Sequence, residues 1–191
     1  MTISRPMQFG ILGLLALLLL ATRGHHFASV DALPSASWAV FFLAGLFFRP
    51  IWGFAALFAL ASMIDFSMLD AGQIGAHCLS ASYLTLIPAY GALWFAGRVY
   101  ARVHQDRAAT LLPLGLSLIV GGLIAALSAK GGYYFFSDNE AAPTFAGLVS
   151  RIAHAYPAAL GTLAMYVGVA ALAYVTARKL RPAAPLIRVA R

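Results

Sequence analysis

The sequence predicts an all-α membrane protein folded as one bundle of six transmembrane helices, with both termini on the cytoplasmic side. Three observations predict it. Of 191 residues, 62% are hydrophobic and only 10% charged, with a mean hydropathy of +0.84, whereas a soluble domain carries about a quarter charged residues. Apolar runs recur six times, and six spans of roughly 20 residues occupy about 120 positions, which leaves no room for a separate soluble catalytic domain. Ten of the 13 basic residues lie on one side of the membrane in the resulting topology. With a single cysteine, a disulfide scaffold is excluded. The net charge of +7 comes from residues that flank apolar runs, where membrane orientation is the ordinary cause, so no nucleic-acid partner is expected.

The first span is expected at residues 7–22, between Arg5 and the Arg23, Gly24, His25, His26 stretch. The same layout is compatible with a signal peptide cleaved after Val30, Asp31, Ala32. A retained first span keeps the number of spans even. The second, at 33–48, opens on Pro34 and closes on Arg49, Pro50. It is short for a hydrocarbon core roughly 30 Å thick. The third, at 51–69, contains Asp65, and a polar connection from Asp70 to Cys78 follows. The fourth is expected at 79–100, running into Arg98, Arg102, His104 and Arg107. The fifth, at 111–129, is rich in small residues and closes on Lys130, Gly131, Gly132, ahead of a loop from Tyr133 to Thr144. The sixth, at 148–176, carries Arg151 and His154 near its start and leads into the basic tail. No repeat or low-complexity linker interrupts residues 1–191, so a single integral membrane domain is expected.

Charge fixes the orientation. In a six-span topology, Arg5, Arg49, Arg98, Arg102, Arg107 and the five basic tail residues share a side, against Arg23, Lys130 and Arg151 on the other. The richer side is expected to be cytoplasmic. Five of the six acidic residues fall on the opposite, outer side.

Motifs narrow the function by their absence. No Walker-type phosphate loop, His-Glu-x-x-His pair, Gly-x-Ser-x-Gly elbow or Cys-x-x-Cys occurs, so a transport cycle would draw its energy from a partner, a gradient or trapping of the solute. The remaining polar residues gather at the outer side. Cys78 follows His77 just before the fourth span. There the positive end of the helix dipole favours thiolate and soft-metal ligation, although a lone cysteine also serves as a small apolar filler. Asp65, a carboxylate within a span, needs a partner. Arg151 lies at a matching depth, so an Asp65–Arg151 pair is expected, and His154 one turn on is read as a satisfied bundle histidine. Tyr133, Tyr134, Phe135 and Phe136 after two glycines, with Tyr83, have two readings: an interfacial aromatic belt, or a lid over a flat ligand. His25, His26 and Phe27 stand on the opposite wall.

The stretch HHFASVDALPSASW from His25 to Trp38, with Asp65, the lone Cys78, Tyr83 and the six-span plan, resembles the substrate-binding (S) components of energy-coupling-factor (ECF) vitamin transporters. The likeness is greatest to the BtuM-like cobalamin group. It extends over nearly the whole chain at the level of architecture. It implies an ECF S-component-like fold in the bacterial cytoplasmic membrane, and uptake of cobalamin or a related corrinoid captured at the outer face. Cobalamin would be the transported ligand, with no prosthetic group. Cys78 would be the axial cobalt ligand, with His77 as the alternative imidazole donor. Asp65, Tyr83 and Arg151 would orient the thiol, and His25, His26, Phe27, Tyr133 and Tyr134 would line the pocket. Thiolate coordination could also displace cyanide from cyanocobalamin. Many S components carry an Ala-x-x-x-Ala face on the first helix for docking the shared ECF module. Here that helix has Gly10, Gly13, Ala16 and Ala21 instead, which fits a solitary transporter that does not require the module. Two other readings remain open at this point: an S component for another vitamin, and a membrane redox protein holding haem through histidines.

Overall fold

The computed structural model describes residues 5–23, 33–48, 50–71, 81–105, 107–136 and 143–180. Among these, the chain forms six α-helices and no strand: α1 Arg5–Thr22, α2 Ser37–Phe47, α3 Trp52–Asp70, α4 Leu86–Val103, α5 Leu111–Phe136 and α6 Phe145–Lys179. Two 3-10 turns, Ala81–Thr85 and Ala108–Thr110, lead into α4 and α5.

The helices alternate in direction. At one end, Arg23 just past α1 meets Asp65 near the end of α3 and Ser37 at the start of α2. Gly132 near the end of α5 lies against Thr85, ahead of α4, and Tyr134 of α5 sits beside Thr144, the N-cap of α6. At the other end, Phe9 of α1 packs its ring on Phe48 and Trp52, which close α2 and open α3. Arg98 of α4 donates to the Phe48 carbonyl at 3.1 Å. Thus α1, α3 and α5 run toward the Arg23–Asp65 end, and α2, α4 and α6 run back. The exposed Arg5, Arg102, Arg107, Arg178 and Lys179 all lie at the returning, basic end.

The centre of the bundle is α2. Eight of its eleven residues are buried, among them Val40, Phe41, Phe42 and Ala44. An eleven-residue helix surrounded by protein needs no polar stripe, which accounts for its apolar sequence. Lipid is as apolar as a helix surface, so close packing must hold α2 to α4. Gly45 faces the Trp94 backbone and Gly97 the Phe42 carbonyl so closely that a Cβ on either would overlap main chain. On the outside, Leu14, Leu17, Met63, Leu112, Val169 and Leu172 are exposed.

Four helices, α1, α3, α5 and α6, are long and apolar enough to cross a membrane by length and composition. This supports a transmembrane helical protein. Neither α2, about 16 Å long, nor α4, with its Arg98, Arg102, Tyr90 and Tyr100, belongs to that set.

Several expected boundaries are corrected. The second helix begins at Ser37, not at residue 33, because residues 33–36 spend their hydrogen bonds elsewhere. The Pro34 carbonyl accepts from Tyr166 at 2.7 Å, and the Ala36 amide donates to Thr22 Oγ1 at 3.1 Å. The fourth α-helix starts at Leu86, after a 3-10 turn. The fifth runs to Phe136, so Tyr133 to Phe136 belong to a helix and the lid reading of these residues is overturned. The Gly131–Gly132 pair read as a helix stop is instead a packing device: Gly131 is buried near Leu148, and Gly132 leaves room for Thr85. The sixth helix is 35 residues long, beyond the expected 148–176 at both ends.

Tyr166, which meets Pro34, lies about 30 Å along α6 from its first residue, so more than half of α6 precedes the point where it meets the segment leading into α2.

Candidate functional site at the ion-pair end

The Arg23 guanidinium and the Asp65 carboxylate form a two-pronged ion pair, with Nε to Oδ1 at 2.8 Å and Nη2 to Oδ2 at 2.6 Å. Both residues are buried, at 5% and 8% exposure. Two charges so far from water are tolerable only if the remaining donors and acceptors are also met. Three elements supply further partners. Arg23 Nη1 donates to Ser37 Oγ of α2 and to the Tyr90 hydroxyl of α4, each at 3.0 Å. The Tyr83 hydroxyl, from the 3-10 turn, donates to Asp65 Oδ2 at 2.9 Å and lies 3.2 Å from Ser62 Oγ of α3. Ser35 Oγ is 2.9 Å from Ser37 Oγ, and Phe41 stacks on the Tyr90 ring at 4.2 Å.

Local sequence puts each group in place. Arg23 follows directly on an apolar helix whose last residue, Thr22, caps inward on the Leu18 carbonyl. Ser62 and Asp65 are three apart on α3 and share a face. The planar guanidinium matches the carboxylate in a way a lysine could not. Converting Tyr83 to phenylalanine should leave Asp65 with one donor fewer, at a cost of about 1 kcal/mol, read as a lower unfolding temperature in detergent with the fold retained.

The expected Asp65–Arg151 pair is corrected: the partner of Asp65 is Arg23. Arg151 instead holds its guanidinium 4.9 Å from the centroid of the Tyr134 ring. Tyr134 is buried beside Leu148 and Ile152, and Tyr133 is exposed. His154 faces outward and is not a buried bundle histidine. Of the residues expected at the site, Asp65 and Tyr83 are brought together, and Tyr134 with Arg151 forms a second pair at the same end of the bundle. His25, His26, Phe27, His77 and Cys78 lie outside the described residues. Their neighbours in sequence do not. Segment 24–32 connects Arg23 to the residues just before Ser35 and Ser37, and segment 72–80 connects Ala71, six residues after Asp65, to the turn that holds Tyr83. The ion-pair network thus ties together the roots of both connections. Among the described residues, no group of three or more His, Cys, Asp or Glu is placed to hold a metal ion.

Arg23, Ser37 and Tyr90 were not singled out from the sequence. A signal for Arg23 was available, since it is one of only three basic residues on the side opposite the charge bias. A cation against the orientation rule, at the edge of a span, points to an internal anion.

Fold and network together define a helical integral membrane protein with a buried polar clamp at one end. No protein-family model matches the chain, and no curated protein matches it significantly.

Proposed function

We propose that this protein takes up cobalamin or a related corrinoid across the bacterial cytoplasmic membrane, as a multi-pass solitary transporter of the ECF S-component kind with six helices in the membrane and both termini inside. The observation that carries the reading is the Arg23–Asp65–Tyr83 network. It gathers the attachment points of the segments bearing His25, His26, Phe27, His77 and Cys78 around the start of α2. A corrinoid is broad and flat and offers an axial cobalt position to a soft thiolate or an imidazole. Cys78 supplies the first and His77 the second. The saturated ion pair has a positioning role in this reading: its donors and acceptors are taken up between helices, so it fixes the walls and does not grip the vitamin. The basic end then faces the cytoplasm, and the network faces outward. A vitamin of another kind would leave Cys78 dispensable for binding.

Growth tests transport. A cobalamin-auxotrophic host lacking its own importer should grow on low external cobalamin when this protein alone is supplied. Failure to grow, with the protein shown to be folded in the membrane, would contradict solitary uptake.

A further inference from the structure

At the basic end, away from the ion-pair network, α2, α4, α5 and α6 do not close completely. A cavity of about 40 Å³ lies between the end of α2, the start of α5 and the last turns of α6. Its walls are almost wholly apolar, from Leu43, Leu46, Leu114, Val167 and Ala170, with Tyr174 and His104 at its rim. Leu43 and Val167 are buried, whereas Leu46, Leu114, Ala170 and Tyr174 are only half-buried, so the cavity is the inner part of a crevice that reaches the surface.

Cations lie near this crevice at the basic end. Arg178 donates to the Tyr174 hydroxyl at 3.1 Å and lies 5.8 Å from the centroid of the same ring. Lys179 follows it, exposed. Arg102 sits two residues before His104, and Arg107 sits in the turn that leads to Leu114; both are exposed. His104 is itself held by Tyr100 at 2.8 Å. Flanking the crevice on the outer faces of α5 and α6 are Leu111, Leu112, Leu172 and Val175, all exposed. An apolar slot opening between lipid-facing surfaces, with cations at its end, has the two-part character of a phospholipid.

We infer that this crevice binds one acyl chain of an anionic phospholipid, with the lipid phosphate held by Arg107 and Arg178. Charge complementarity selects the anionic headgroup, because guanidinium groups pair well with phosphate oxygens. Basic pockets between membrane helices are sites where anionic lipids lodge. The chain in the crevice fills space beside Leu43 and Val167 that packing otherwise leaves open, and so joins the end of α2 to α6. This inference stands apart from corrinoid uptake.

The test is lipid retention. The full-length protein, purified in mild detergent and washed through a fixed number of exchange steps, is supplied with phosphatidylglycerol or phosphatidylcholine of identical chains and read by native mass spectrometry. Phosphatidylglycerol should be retained at one per protein, about tenfold better than phosphatidylcholine. Arg107→Gln/Arg178→Gln should abolish that preference. Ala170→Leu, which fills the slot without changing charge, should lower retention of both lipids. Equal retention of the two lipids by the unmodified protein would overturn the proposal, as would a preference that survives the double substitution. Displacement of the lipid by millimolar inorganic phosphate alone would also overturn it, since the chain would then contribute nothing. So would a mass showing two copies of the protein sealed at this face without lipid.

Discussion

Replacing Asp65 by alanine is expected to destabilise the protein by about 3–5 kcal/mol, the range for removing one partner of a buried ion pair. The reason lies in what remains. Arg23 is 5% exposed and donates through Nε and Nη2 to Asp65 alone. Without the carboxylate those donors keep only Ser37 and Tyr90 as neighbours on the third nitrogen, and the positive charge has no counter-ion. Arg23→Ala strands the carboxylate in the same way, with only Tyr83 to donate to it. Removing both charges with side chains of similar volume, as in Arg23→Met/Asp65→Leu, should recover most of the loss, because the cost comes from the unpaired charge and not from the absence of the pair. Thermal unfolding of the purified proteins in one detergent measures all four. If the single variants melt within a degree or two of the unmodified protein, the pair is not buried as described.

Gly97→Leu should be equally damaging by another route. A Cβ at this position would overlap the Phe42 carbonyl and come within 3.0 Å of the Leu46 amide nitrogen. Both obstacles are main chain of α2, which has α1, α3 and α6 on its other sides and nowhere to withdraw. Overpacking a tight core costs about 1–3 kcal/mol when side chains can shift, and more when backbone must move. The expected outcome is a protein that inserts poorly or unfolds well below the unmodified one. Gly91→Ala is the internal control. It lies six residues earlier on α4, where an added Cβ meets nothing within 4 Å. Helix propensity then acts alone and should stabilise by up to about 1 kcal/mol. Similar behaviour of the two variants would mean that α2 and α4 do not approach as closely as Gly45 and Gly97 suggest.

Much of the architecture was legible in the sequence, because hydropathy is a sum over many residues. All six apolar runs are helices in the expected order, and the shortness of the second run is the buried, half-length α2. Boundaries failed where a single tertiary contact outweighed local signals. Gly131 and Gly132 look like a helix stop, yet Thr85 of a distant segment makes glycine at 132 a condition of packing and the helix continues to Phe136. Pro34 looks like a first-turn residue, but its carbonyl is taken by Tyr166, 132 positions away. At the site, the need of Asp65 for an internal partner was legible from its cost in a membrane, as was the presence of Tyr83 nearby. The identity of the partner was not. Arg151 matched in depth, but depth says nothing about which helices are neighbours around the bundle. The end of α3 lies beside the end of α1, and Arg151 on α6 faces Tyr134.

The network also changes the meaning of the few charges in the chain. Most of the described cations lie at the basic end, but Arg23 is spent on holding helix ends together at the attachment points of the segments that carry the histidines and the thiol. Whether those segments take a corrinoid is decided most directly by absorption spectroscopy. The purified protein is titrated with cobalamin, and the same titration is repeated with Cys78→Ser. A bound corrinoid whose visible spectrum shifts on binding is expected, with that shift lost or altered in Cys78→Ser while the protein remains folded. A spectrum that never departs from that of free cobalamin would contradict corrinoid capture. A shift that is identical in Cys78→Ser would contradict the thiolate as cobalt ligand.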